Sequence, residues 1–137
     1  MENWLYDIPV AHRGLHNDEF VENTMDAFVN ENAEVALRVQ PLERVIDELT
    51  REIKNLHIER LKNNSCTIEL GFVLSDLLTN YERISDHCSN IAVCFIEISH
   101  GSFETHDYLN HLKHDNAKEF TDMYNAYKEK YYIASEA

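Results

Sequence analysis

Turn-forming residues are scarce in this chain, with three glycines and two prolines among 137 residues. A β-sandwich or barrel needs turn residues about every ten positions, so this scarcity excludes an all-β fold and favours long helices joined by few loops. Basic residues are scarce too: 12 Lys and Arg stand against 25 Asp and Glu, a formal net charge of −13. A nucleic-acid backbone or an anionic membrane surface selects for clustered cations, so neither is an expected partner. The three cysteines form no CxxC pair. Cys66, Cys88 and Cys94 therefore read as buried, reduced thiols of a cytoplasmic protein. No apolar run approaches the roughly 18 to 20 residues that a membrane span requires, and no signal peptide is visible, so no direct membrane insertion is expected. Also missing are a Ser-His-Asp or Cys-His order, a phosphate-cradling Gly loop and a nucleophile elbow, and the chain is not expected to be an enzyme.

What is present is helical periodicity. With 44% hydrophobic residues the chain can bury the core of one domain. Residues 18–30 predict a short helix with Phe20, Val21, Met25 and Phe28 on one side and Asn17 or Asp18 as N-cap. Asn30-Glu31-Asn32 is its break. From Ala33 to about Lys62, Val39, Leu42, Ile46, Leu49, Ile53 and Leu56 alternate steps of three and four, the seam of a helix packing lengthwise on others. Pro41 predicts either a kink or a helix start at that point. Asn63-Asn64-Ser65 ends the element.

Thr67 to about Ser99 repeats the alternation through Leu70, Leu74, Leu77, Tyr81, Ile84, Cys88, Ile91, Phe95 and Ile98. Two long helices joined by a short loop must be antiparallel neighbours. A shorter helix follows from about Asn116 to Tyr131, with Phe120, Met123, Tyr124 and Tyr127 on one face. The fold class is all-α, an antiparallel helical bundle over 18–137 preceded by a non-helical segment over 1–17.

Acidic residues recur at one spacing. Glu43-Arg44-Val45-Ile46-Asp47 and Glu82-Arg83-Ile84-Ser85-Asp86 are both acid-x-x-x-acid with Arg second. On a helix this spacing puts both carboxylates on one face about 6 Å apart, and Asn90 continues the second file by one turn. Hard cations prefer oxygen ligands, and helical bundles present paired carboxylates to di-iron and di-manganese centres. Glu43, Asp47, Glu82, Asp86 and Asn90 are therefore the candidate ligands of a divalent metal or iron, with Arg44, Arg83 and His87 beside them. The competing reading is surface decoration in which the two arginines pair with the acids. His57, His100, His106, His111 and His114 lack ligand-type partners at helical spacing.

The stretches Pro41-Leu42-Glu43 through Asp47, Cys66 through Leu78, and Tyr81-Glu82-Arg83-Ile84-Ser85-Asp86-His87 through Ala92 resemble the PhoU family. The likeness is greatest to the PhoU-like cytoplasmic domain of bacterial Na+/phosphate cotransporters, and it extends over about 25–131. The resemblance implies a three-helix-bundle repeat whose acidic-x-x-x-Asp motifs bind metal. It also implies a regulatory role in phosphate uptake through contact with a phosphate transporter or its membrane domain. Only one repeat is present, with a short first helix, which leaves apolar seam uncovered. The expectation is a homo-oligomer, or an N-terminal segment folded back over that seam.

The opening of the chain differs. Trp4 through Val10 is strand-like, and His12-Arg13-Gly14 with Glu22-Asn23-Thr24 resembles the start of glycerophosphodiester phosphodiesterases. That resemblance covers about the first 28 residues and implies His12 as an acid/base residue, Arg13 as a phosphate contact and Glu22 as a metal ligand. The Glu-x-Asp pair of that family is absent, and its barrel needs about 250 residues, so the segment is read as catalytically inactive.

Overall fold

A computed structural model describes residues 18–100 and 117–131, which form four helices. They are α1 Asp18–Val29, α2 Ala33–Lys62, α3 Ile68–His100 and α4 Ala117–Lys130. Among the described residues there is no strand. The strand-like Trp4–Val10 run, His12, Arg13, Asn17, His106, His111 and His114 lie outside the described residues.

The joints between helices are built by asparagine. Glu31 takes a left-handed φ of 51° and the amide of Asn32 donates back to the Ala27 carbonyl at 3.0 Å, which closes α1. The side chain of the same Asn32 accepts from the Val35 amide and starts α2. At the far end Asn64 has φ 56°, its amide donates to the Leu61 carbonyl, and the Ser65 amide donates to the Arg60 carbonyl at 2.9 Å. This double bond pattern is a Schellman cap, and Asn is among the few non-glycine residues that accept its left-handed position. Thr67 then caps α3 by accepting from the Leu70 amide.

Helix α2 is the hub: it packs against α1, α3 and α4, while α1 also packs on α3. Its apolar seam lies inside as predicted, with Val39, Leu42, Ile46, Leu49 and Ile53 all buried, whereas Leu56 is exposed. The helix does not start at Pro41; it runs unbroken from Ala33, with the proline ring buried. One group of core residues joins α1, α2 and α3 around Phe20, Ala36, Leu42 and Ala92. A second joins α2 and α3 around Leu49, Ile53, Leu74 and Leu78, with Tyr124 and Tyr127 of α4 packed on it.

Two predicted faces are corrected. On α1 the buried file is Phe20, Thr24 and Ala27, and Val21, Met25 and Phe28 are exposed. On α3 the buried file runs through Leu74, Leu78, Ser85, Ser89, Ala92 and Ile96, while Leu77, Ile84, Ile91 and Ile98 point outward. Both buried files mix large apolar residues with small ones, Thr24 and Ala27 on α1 and Ser85, Ser89 and Ala92 on α3, where neighbouring helices can pack closely. Of the three cysteines, Cys88 is buried, Cys66 is half-buried and Cys94 is exposed, so the expectation of three buried thiols holds for one. Burial pushes the Cys88 thiol up, a setting in which it is unreactive.

Candidate acidic site between the long helices

The antiparallel register of α2 and α3 brings the two acidic motifs together. Gln40 donates to the Ser89 hydroxyl, which donates to Glu43 at 2.6 Å. Further along α2, Lys54 donates to Glu82 at 3.0 Å. Contact positions therefore rise along α2 as they fall along α3, and Asp47 comes between these two links. Its surroundings confirm the placement: burial pushes its carboxyl above the ordinary range, and the negative charges of Asp86 and Glu82 push it the same way. Arg51 opposes this weakly as the last of the four influences. Carboxylates from both motifs thus share one electrostatic environment, and proximity of like charges is held by the helix packing.

Each motif is divided between wall and rim. Glu43 and Asp47 are half-buried, and with Gln40 and Arg44 they line an open cavity of about 450 Å³ bordered on its other side by Ala117, Phe120 and Thr121 of α4. Glu82 is half-buried, whereas Asp86 and Asn90 are exposed. Arg44 does not pair back onto the acids of its own motif. Its guanidinium lies 3.8 Å from Glu48 and 5.0 Å from the centre of the Tyr124 ring, so it ties α2 to α4. Arg83 and His87 are exposed on α3. Glu22, the residue singled out by the diesterase-like opening, is exposed on α1.

Sequence reasoning did not select Ser89, Gln40 or Lys54: Ser89 and Lys54 each bond a motif acid across the interface, and Gln40 bonds Ser89. The signal was available in part, since Ser89 stands three residues beyond Asp86 and small hydroxyl residues at that spacing suit a helix contact. It also missed Thr50 and Ser85, which are fully buried on α2 and α3 and whose hydroxyls have no hydrogen-bond partner among the described residues.

The donor set is all oxygen, four carboxylates and an amide, which matches the preference of hard cations. Among the described residues, however, no three His, Cys, Asp or Glu side chains converge closely enough to hold a metal ion. What the site has is a carboxylate held against two others, a charge excess that a cation relieves.

An all-α bundle whose two long antiparallel helices carry facing acid-x-x-x-acid motifs defines the class of protein. Residues 17–94 match the PhoU domain family, more than half of the chain, and the chain belongs to that family. It is 32% identical over 79 residues to the phosphate-specific transport system accessory protein PhoU homolog 1 of Thermotoga maritima, covering 56% of this chain and 34% of that protein. It is 28% identical over 112 residues to the phosphate-specific transport system accessory protein PhoU homolog of Pseudomonas aeruginosa, covering 79% of this chain and 45% of that protein. The match thus spans between a third and a half of the length of these relatives. No solved structure matches the chain.

Proposed function

We propose that this chain is a non-enzymatic regulatory module of phosphate transport that binds metal at the acidic site between α2 and α3. Its helical bundle begins at residue 18. It acts on the cytoplasmic side as a homo-oligomer, against a phosphate transporter or its membrane domain of the Na+/phosphate cotransporter kind. Family membership and the names of the two relatives support the setting in phosphate transport. No described helix is long and apolar enough to cross a membrane, so the module reaches a transporter by contact.

The observation that carries the site is the raised Asp47 carboxyl, pushed up by burial and by Asp86 and Glu82 from the facing helix. A divalent metal or iron is the expected occupant, with Glu43, Asp47, Glu82, Asp86 and Asn90 as ligands and Arg44, Arg83 and His87 around them. Calorimetric titration with Mn²⁺, Fe³⁺, Zn²⁺ and Mg²⁺ should give saturable binding to the native chain. The Glu82→Gln/Asp86→Asn double variant should lose it by about tenfold or more, the cost of removing two charged ligands. Equal binding by both proteins would show a helical assembly module whose acids are only surface charge.

A further inference from the structure

Helix α3 turns a second apolar face to solvent. Leu70, Leu77, Ile84, Ile91 and Ile98 recur every seven residues through the 33 residues of the helix. From Leu77 onward all four are exposed, between 41% and 69%. The intervening positions Val73, Asn80, His87 and Cys94 are exposed as well, and none of the nine carries an acid. In a chain with 25 acidic residues, a charge-poor stripe four heptads long is a marked exclusion. A repeat of seven drifts about 20° per heptad around a straight helix, so it keeps a constant face only toward a second helix that winds with it. That stripe lies about 100° around α3 from Leu78, Ser85 and Ala92, each one residue on from a stripe position and each fully buried.

We propose that two copies of this chain pack α3 against α3, antiparallel about a two-fold axis, with Asp76 of each copy opposite Arg83 of the other. This deepens the homo-oligomer part of the proposed function and rests on it. The charges beside the stripe select the register. Asp76 and Arg83 flank it one heptad apart, so an antiparallel pair centred between them forms the Asp–Arg contact twice. Lengthening the overlap by one heptad would set Arg83 against Arg83, and by two would set Asp76 toward Glu97. The selected register also puts the two Asn80 side chains in neighbouring layers about 4.5 Å apart along the axis, where amides can pair. A second copy fits the face because the stripe is self-complementary over residues 68–91, where an apolar position of one helix meets an intervening position of the other, while Cys94 and Ile98 extend past the start of the partner's helix.

Sedimentation of the full chain should give roughly twice the single-chain mass of 16.1 kDa. A monomer at tens of micromolar would overturn both the face and the self-association it rests on. Asp76→Arg and Arg83→Asp should each weaken the dimer about tenfold or more, with the double exchange restoring it, because like charges opposed across an interface cost that much. Circular dichroism of the single variants guards against unfolding, since both positions are exposed. Weakening without restoration would overturn the register. A spin label on Cys94 in a Cys66→Ser background should report about 45 Å between copies, the separation of residue 94 from itself in this register. A short distance would mean a parallel pair and would overturn the antiparallel face while leaving self-association standing.

Discussion

Thr50 and Ser85 each carry a hydroxyl into a helix interface where no described group receives it. A buried hydroxyl without a partner has given up water and gained nothing, so its replacement by a methyl of the same shape is favourable. Thr50→Val should therefore stabilise the chain by about 1 kcal/mol in urea titration. A loss of that size instead would show the hydroxyl to be satisfied in solution. Gly71 offers a second test at the same scale. A Cβ built there would fall 2.5 Å from Nε2 of His57, a nitrogen that is itself buried and unpartnered. Alanine ordinarily gains about 1 kcal/mol over glycine inside a helix. Gly71→Ala should show none of that gain in the native chain and recover it in a His57→Ala background, as a double-mutant cycle would measure.

Helix α4 docks on α2 through its tyrosines packed on the core and through polar contacts to one carboxylate, Glu48. The Tyr124 hydroxyl donates to Glu48 at 2.6 Å and Lys128 donates to it at 3.2 Å, and none of the α4 residues is fully buried. The Tyr124 hydrogen bond is the largest influence on Glu48 and holds its carboxyl below the usual range; burial opposes it, and the Lys128 and Arg44 charges add to the lowering. A depressed carboxyl stabilises above its unfolded value of 4.5 and loses that stabilisation as pH falls through the lower folded value. Acidification below pH 4.5 should release α4 ahead of the α2/α3 pair, seen as loss of Tyr fluorescence anisotropy before helicity, and Glu48→Gln should release it at neutral pH. The same element shows how far a sequence can be read. Its extent and the half-buried faces of Phe120, Met123, Tyr124 and Tyr127 followed from apolar spacing alone. So did the boundaries of α2, because Asn32 and Asn63-Asn64-Ser65 are local capping chemistry. The rotation of α3 did not follow, since two faces of that helix are periodic and only the partner decides which is covered. Leu77 and Leu78 illustrate it: adjacent, identical in type, one 43% exposed and the other fully buried. The acids were legible as motifs, but Ser89, Gln40 and Lys54 entered the site only through the α2/α3 register, which is a tertiary fact.

The molecule as a whole carries its negative charge unevenly. Half-buried Glu43, Asp47 and Glu82 converge along the α2/α3 boundary, while the outer stripe of α3 is nearly free of charge. If a cation neutralises that boundary, thermal stability should rise with added divalent metal, and the rise should vanish in the Glu82→Gln/Asp86→Asn variant.

The position of α2 at the centre also governs how the structure comes apart. A helix touched by all three others has no private route to opening, whereas the backbone of α4 comes close to α2 alone and its end reaches α1 through Glu19, which accepts from Lys130 at 2.7 Å and from Tyr131. Amide hydrogens in the middle of α2, around residues 42–53, should therefore exchange with solvent only as fast as the entire chain unfolds. Those of α4 should exchange orders of magnitude sooner, through undocking that leaves the rest intact. Mass spectrometry of exchanged peptides reads the two rates in one experiment, and equal rates would mean that α4 and α2 open as a single cooperative unit.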